Sequence, residues 1–209
     1  MDTLLSAFDN LGINNNDTLD HFKSIICQNS YINSCSSNKE KSINSFSYLI
    51  KLNLSQSECI KAGHCFEKLI HEMGMIMTDL EDIRPANKKN MKEKDFLFKN
   101  EETKTIYYTE VKTNLELDTE KAPKTVEKCK LITEQLLIQY PEYEIITNIL
   151  GGRYFQTLEI PSNIRKRFSM SVLGLNEYFE LLGVDHQFKS EKQYSEMLTF
   201  MAKRMIDHS

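Results

Sequence analysis

Apolar and polar positions divide the middle of the chain into helical and extended segments. Residues 55–74 repeat apolar side chains at helical spacing, with a capping box at the start and Gly74 as the expected stop. Residues 105–112, with the sequence TIYYTEVK, are rich in β-branched and aromatic side chains and form the strongest predicted strand. Two shorter strands are predicted before it, at 75–80 and 95–98.

The pattern continues with a second helix and a fourth strand. Residues 122–140 carry one apolar stripe before Pro141, which predicts a helix, and 144–150 predict a buried strand. Because a helix connects this strand to the one at 105–112, the two strands are expected to pair in parallel. A further strand and two helices are expected at 169–175, 176–183 and 190–206. The chain is therefore predicted to have an α/β fold, a mixed β-sheet flanked by helices in the order αβββαβ.

The composition is ordinary for a soluble globular protein, with 40% apolar and 27% charged residues. No apolar run reaches the length of a membrane span, and the acidic start MDTLLSAFDN lacks the basic region of a secretory signal. Five cysteines without a CxxC pair argue against a disulfide framework, so a reducing cytoplasmic location is expected. The spacing within one predicted helix of Cys59, His64, Cys65 and His71 matches no common zinc module.

The net charge of −4 conceals an uneven distribution along the chain. Residues 84–130 carry 12 Lys or Arg against 9 Asp or Glu, while the remainder is acidic. Binding to a polyanion depends on the local patch of charge rather than on the total. The middle of the chain is therefore the candidate surface for a nucleic acid.

Glu110 and Lys112 are the candidate chemistry on the strongest strand. Side chains alternate along a strand, so both lie on one face. If the preceding turn centres on 100–103, Asp95 lies opposite Tyr108 and is the diagonal neighbour of Glu110. Two neighbouring carboxylates repel unless a cation lies between them, and carboxylates without His or Cys favour Mg²⁺. The hairpin therefore predicts a magnesium site with an ammonium group beside it.

The tripeptide alone is a weak signal. A Glu-x-Lys pattern is most often a solvated strand face, and Glu102-Thr103-Lys104 repeats it in the predicted turn. Glu110-Val111-Lys112 differs from this copy in its context. It lies on the best strand, 15 residues after the aspartate that begins another strand, with a helix on either side of the hairpin.

With these residues the chain resembles the PD-(D/E)XK nuclease superfamily, and most closely type II restriction endonucleases. The resemblance covers the element order from 55 to 150, and its motif residues are Asp95 and Glu110-Val111-Lys112. It implies a restriction-endonuclease-like core and Mg²⁺-dependent hydrolysis of phosphodiesters. Asp95, Glu110 and Lys112 would be catalytic, and the metal would be held by Asp95, Glu110 and Val111. Lys94 stands where the family motif often has proline.

Family members often add an acidic residue from the first core helix. Glu67 is the best match for this catalytic position and Glu72 is second, although an ordinary exposed glutamate is an equally good explanation for either.

Basic and polar residues around the motif are candidates for contact with DNA. Three lysines lie on or just before the helix that follows the motif strand, two of them on one face. Others lie just beyond the strand, in the connector before Asp95, and near the C-terminal third. The full set is Asn114, Lys121, Lys124, Lys128, Lys88, Lys89, Arg165 and Arg167. A solvated surface remains the more common explanation for each single lysine.

The expected function is that of a type II restriction endonuclease that cleaves both strands of double-stranded DNA at a short specific sequence. A palindromic target favours a two-fold symmetric homodimer, and neither a membrane nor an organic cofactor is expected. Two alternatives stay open. One is another nuclease on the same core, such as a repair or junction-resolving enzyme, and the other is a non-catalytic DNA-binding protein.

Three segments are expected along the chain. Residues 1–54 form an N-terminal region of helices and loops, a candidate for dimerisation or DNA contact. Residues 55–152 form the catalytic nuclease core, and 153–209 add a C-terminal strand and helices to the same domain. The last helix and the residues before it carry apolar side chains that suit either a dimer surface or core packing: Phe188, Tyr194, Met197, Leu198 and Met201.

Overall fold

The computed structural model describes most of the chain from residue 56 onward. It covers 56–85, 94–113, 115, 121–185 and 187–207, together with Lys23 and Ile26, and gives only the backbone of 56–61 and 202–207. Three candidate DNA-contacting residues lie outside the described residues: Lys88, Lys89 and Asn114. Almost all of the expected N-terminal region 1–54 also lies outside them, so its role stays a prediction.

The chain forms two compact units. One contains Met1–Met73 and Asp185–Ser209, and the other contains Gly74–Val184. The described helices are α1 (Gln56–Met77), α2 (Lys121–Gln139), α3 (Ser162–Arg165), α4 (Leu175–Leu182) and α5 (Glu191–Asp207), with a 3₁₀ turn at Thr157–Glu159. The described strands are β1 (Glu81–Asp82), β2 (Phe96–Asn100), β3 (Thr105–Lys112), β4 (Glu144–Gly151) and β5 (Ser171–Leu173).

The first unit buries apolar side chains of α1 and α5. The ring of Phe188 meets that of Tyr194 edge-on, with 5.2 Å between their centroids. Five apolar side chains suggested above as either dimer surface or core are buried within the chain: Phe188, Tyr194, Met197, Leu198 and Met201. Their burial favours core packing, because a dimer surface must be accessible in the single chain.

The second unit is built on a mixed five-stranded sheet in the order β1-β2-β3-β4-β5. The β1–β2 and β2–β3 pairs are antiparallel, whereas β3–β4 and β4–β5 are parallel. Helix α2 makes the crossover between β3 and β4. The structure therefore confirms the α/β class, the mixed sheet with flanking helices, and the parallel pairing of the two strongest strands.

The two faces of this sheet have different partners. Leu97, Tyr108 and Ile149 face α2 and share one apolar cluster with its side chains Val126 and Ile132. The alternate side chains face α4, where the rings of Phe96 and Tyr178 stack with 6.0 Å between centroids. Since strand side chains alternate, every second residue of β2 and β3 lies on the α2 side.

The first core strand was predicted at the wrong place. The helix does not stop at Gly74 but continues to Met77, and β1 is Glu81–Asp82 rather than 75–80. A Cβ atom on Gly74 would lie 3.3 Å from the Phe98 ring, so this glycine allows a close approach of the helix to the sheet. The helix ends one residue before Thr78, whose hydroxyl donates to the Gly74 carbonyl and accepts from the Leu80 N–H.

The register of the β2–β3 hairpin also differs from expectation by two residues. Leu97 pairs with Tyr108, so one step beyond the Phe96–Thr109 pair brings Asp95 level with Glu110 instead of with Tyr108. The loop is 101–104 rather than 100–103. At its start the Asn100 side-chain oxygen accepts the Glu102 and Thr103 N–H groups, and Lys104 closes it with a left-handed φ of 52°.

Gly174 is expected to be the least replaceable described glycine of the second unit. A Cβ atom there would lie 2.4 Å from the carbonyl carbon of Gln156 and 2.6 Å from the nitrogen of Thr157, both backbone atoms. We expect Gly174→Ala to destabilise the protein by about 2–3 kcal/mol, because the start of α4 must move away from the segment to which it is hydrogen bonded. Thermal unfolding followed by circular dichroism measures the change.

Gly63→Ala provides the matched control for this substitution. Gly63 lies inside α1, and among the described residues no heavy atom outside the adjacent residues and the helix backbone lies within 4 Å of the Cβ position. Alanine there should raise stability by about 0.5–1 kcal/mol, because glycine is the poorer helix former. Equal unfolding temperatures for the two variants would contradict the clash at Gly174.

Candidate active site

The carboxylate of Glu110 is the centre of the candidate site. Its side chain is only 3% exposed. Lys112 Nζ donates to Oε1 at 2.6 Å, Lys128 Nζ donates to Oε2 at 2.6 Å, and the Tyr108 hydroxyl donates to Oε2 at 3.0 Å. A buried carboxylate of this kind needs such donors, because an unpaired charge in a protein interior is costly.

The two ammonium groups keep this carboxylate ionised. Burial on its own raises the pKa of Glu110, but the charges and hydrogen bonds of Lys112 and Lys128 hold the pKa below its usual range. The same negative charge acts on its neighbours. Burial, followed by the charge of Glu110, raises the pKa of the Tyr108 phenol and raises that of the Cys129 thiol to about 11. Tyr108 and Cys129 therefore stay protonated at neutral pH, and Tyr108 can act as a permanent donor.

Asp95 lies at the start of the adjacent strand and is fixed by backbone contacts. Its Oδ2 accepts the Val111 N–H at 2.7 Å, and its own carbonyl oxygen accepts from Arg84 Nη1 at 3.0 Å. Arg84 is held in turn by Asp82, whose two carboxylate oxygens accept from the guanidinium group at 2.7–3.1 Å. Strand β2 is thus anchored at its start, next to Asp95.

Strand alternation, extended by one residue before β2, predicts that Asp95 and Glu110 lie on the same side of the sheet. Asp95 precedes Leu97 by two residues, and Leu97 faces α2 together with Tyr108, which precedes Glu110 by two. The charge of Asp95 is also among the causes that raise the pKa of Tyr108. The register therefore brings Asp95 level with Glu110, and joint action of the two carboxylates at one site stays a prediction.

The site is at the carboxyl end of the parallel strands. Glu110 pairs with Ile149 and Lys112 with Gly151, which ends β4. Ligands of open α/β sheets generally bind beyond the carboxyl ends of parallel strands, where the loops leave room. The side chain of Lys112 is 25% exposed, so the site opens to solvent at this end.

The donor chemistry fits a hard divalent cation with an incomplete protein shell. Asp95, Glu110 and the Val111 backbone offer oxygen ligands without any sulfur or imidazole, as Mg²⁺ prefers. No group of three or more His, Cys, Asp or Glu side chains in the described part of the chain is placed to hold a metal. A cation here would therefore keep several of its waters, which is usual for Mg²⁺.

The remaining acidic candidates belong to the other compact unit. Glu67 belongs to the first unit, where its Oε2 lies 3.8 Å from Nδ1 of His64 on the same helix. Glu72 also belongs to the part of α1 in that unit and is partly exposed. A catalytic role for either of them stays a prediction.

The candidate DNA-contacting residues fall into different environments. Lys121 and Lys124 are exposed on the first turn of α2, whereas Lys128, one turn further, is paired with Glu110. Arg167 is exposed and lines a groove of about 630 Å³ beside α2. The Nε atom of Arg165 is buried, so this side chain presents less of its guanidinium group to a ligand than expected.

Three residues of the site were not recognised as such from the sequence. Tyr108 carries a signal, because it precedes Glu110 by two residues on a strand and must share its face. Lys128 was identified only as a phosphate contact, and Arg84 was not singled out. Neither of them shows its partner in the local sequence, since 18 residues separate Lys128 from Glu110 and 11 separate Arg84 from Asp95.

Comparisons with known protein families, curated proteins and solved structures found no match to this chain. Within the part of the chain that the structure describes, no helix combines the length and apolar character needed to cross a membrane.

Proposed function

We propose that the second unit is the core of a Mg²⁺-dependent DNA nuclease of the restriction-endonuclease-like type, and that the protein is a type II restriction endonuclease. One observation carries the proposal: Glu110 is paired with Lys112, and Asp95 accepts the N–H of the intervening Val111, at the carboxyl end of the parallel strands. The order of a helix, three strands, a helix and a strand supports it. Localisation in the cytoplasm and assembly as a homodimer belong to the same proposal.

Each residue of the site has a distinct task in this proposal. Mg²⁺ held by Asp95, Glu110 and the Val111 carbonyl would lower the pKa of a bound water and balance charge on the phosphate. Tyr108 holds the Glu110 carboxylate in place through a hydrogen bond of 3.0 Å. Lys112, whose side chain is 25% exposed beside Glu110, stabilises the extra negative charge that develops on the scissile phosphate. The residues thus bind the metal, orient the Glu110 carboxylate and stabilise charge, and the proposal needs no cofactor other than Mg²⁺.

The surface next to the site supports binding of a polyanion. Lys121 and Lys124 are exposed at the N-terminus of α2, two turns and one turn, respectively, before Lys128 at the site. The first turn of α2 contains no acidic side chain, so nothing there offsets its free N–H groups and positive dipole end. A phosphate backbone that passes along this helix end would approach Lys112 from the basic side.

Incubation with plasmid and phage DNA tests the proposal directly. The protein should convert these DNAs to discrete fragments in the presence of Mg²⁺ and leave them intact when EDTA removes the metal. A smear of products would favour a nonspecific or junction-resolving nuclease on the same core. Uncut DNA, with or without a gel shift, would contradict catalysis. Sequencing of the fragment ends would then give the target sequence and the overhang.

A second function has one observation in its favour. Glu110 is saturated by two ammonium groups, and such an arrangement also suits a structural ion-pair network in a non-catalytic DNA-binding protein. The two functions differ in the fate of Asp95. In a structural network the Asp95 carboxylate serves only to accept the Val111 N–H, whereas a metal site also requires it as a ligand.

A further inference from the structure

Glu110 has more cationic partners than the proposed chemistry uses. Lys112 contacts Oε1 and is the lysine of the motif, whereas Lys128 contacts Oε2 and comes from a separate element, α2. A divalent cation that approaches this carboxylate is repelled by two ammonium groups, each 2.6 Å from one of its oxygens. One of the two ammonium groups must therefore leave Glu110, or shift along it, before a metal can bind.

The contacts indicate that Lys128 is the group that leaves. Oε2 accepts both Lys128 at 2.6 Å and the Tyr108 hydroxyl at 3.0 Å, so it keeps a hydrogen bond when the lysine departs. Oε1 accepts from the motif lysine, Lys112, at 2.6 Å. Loss of Lys128 leaves the carboxylate oriented, whereas loss of Lys112 removes the group proposed to act on the phosphate.

Lys128 is also placed to leave without a large penalty. Its side chain is 22% exposed, and it extends from a helix whose preceding turn carries the exposed Lys124. A lysine can keep its aliphatic stem packed while its ammonium group swings to solvent. Departure of this charge when a divalent cation arrives limits the net charge of the two carboxylates and their cations to +1, whereas it would be +2 if Lys128 stayed in place.

We propose that Lys128 is a positioning residue whose ammonium group occupies the place of the divalent cation on Glu110 until the metal displaces it. This inference rests on the proposed function, since it requires a metal site at Glu110. It assigns Lys128 a task that differs from simple contact with DNA. If Lys128 were instead a permanent link between α2 and β3, its removal would loosen Glu110 and weaken metal binding.

Titration of the full-length protein with Mn²⁺ alone, without DNA, tests this inference. Mn²⁺ shares the oxygen ligands of Mg²⁺ and is followed directly by electron paramagnetic resonance. We expect Lys128→Gln to bind Mn²⁺ about tenfold more tightly than the unmodified protein, because the competing charge is gone. Lys130→Gln, an exposed lysine on the same helix, is the matched control and should leave the dissociation constant unchanged.

Lys128→Arg keeps the test decisive if the glutamine variant folds poorly. Arginine retains the competing charge, so its Mn²⁺ affinity should stay at or below that of the unmodified protein. Unchanged or weaker binding in Lys128→Gln, or tighter binding in Lys128→Arg, would overturn the inference while a Glu110-dependent Mn²⁺ site still supported the proposed function. No Mn²⁺ site sensitive to Glu110→Gln would overturn both.

Discussion

Glu110→Gln is expected to abolish Mg²⁺-dependent cleavage of DNA, with a loss of at least about three orders of magnitude in rate. The amide has the same shape as the carboxylate but lacks the charge that binds a divalent cation. Because the Glu110 side chain is only 3% exposed, we do not expect a water molecule to take the place of the lost metal ligand. The rate of loss of supercoiled plasmid under single-turnover conditions measures the effect.

The same substitution also acts on stability. Lys112 and Lys128 lose the carboxylate that balances them, and their side chains are about one quarter exposed, so they are only partly solvated. We expect a cost of about 1–3 kcal/mol, visible as a lower unfolding temperature, and glutamine is preferred to alanine since it retains an acceptor for Tyr108. Glu102→Gln in the exposed copy of the tripeptide is the control and should change neither quantity. Full activity of Glu110→Gln would rule out this site.

Lys112→Ala is expected to lower the turnover rate by about 10²–10³-fold while leaving DNA affinity largely intact. The ammonium group lies at the open end of the site, 2.6 Å from Glu110 Oε1, where a phosphate in contact with the metal ligands would pass. Stability should change little, because Glu110 keeps its contacts with Lys128 and Tyr108.

Single-turnover cleavage and DNA binding in the presence of Ca²⁺ separate the two effects of this substitution. Lys104→Ala, from the loop copy of the same Glu-x-Lys pattern, is the matched control and should cleave at the normal rate. If Lys112→Ala also cleaved normally, Lys112 would be a structural partner of Glu110 and nothing more.

The sequence predicted the strongest strand with its observed bounds, because TIYYTEVK combines β-branched and aromatic side chains on both faces. It also predicted the parallel pairing with β4, which follows from the intervening helix. It failed on the hairpin register because a lysine gives no signal of the left-handed conformation that Lys104 adopts. A two-residue shift of register keeps every side chain on its face, so the error does not affect the prediction that Asp95 and Glu110 share a face.

The end of α1 shows a different limit. Glycine after an apolar stripe usually terminates a helix, and this rule placed the stop at Gly74. Here the glycine is needed for close packing against Phe98, a contact with a residue 24 positions further along the chain. Local patterns cannot distinguish a capping glycine from a packing glycine, because the deciding atom belongs to a distant element.

The motif residues of the candidate site followed from strand alternation, whereas its supporting contacts did not. Asp95, Glu110 and Lys112 lie on a single hairpin, so their proximity is a local property. Lys128 reaches the site from α2, which the crossover places over the sheet, and Arg84 reaches it from just beyond β1, which pairs with β2. Their roles become visible only with the tertiary structure.

The crossover has a consequence for the order of events during synthesis. A nascent chain that has emerged as far as residue 112 already contains every motif residue, yet it lacks both α2 and the strand that pairs along the other edge of β3. The glutamate then has neither its second counter-charge nor a buried environment. The surroundings of Glu110 are complete only after the ribosome has released the chain beyond Gly151, so the proposed reaction at this site requires the folded protein.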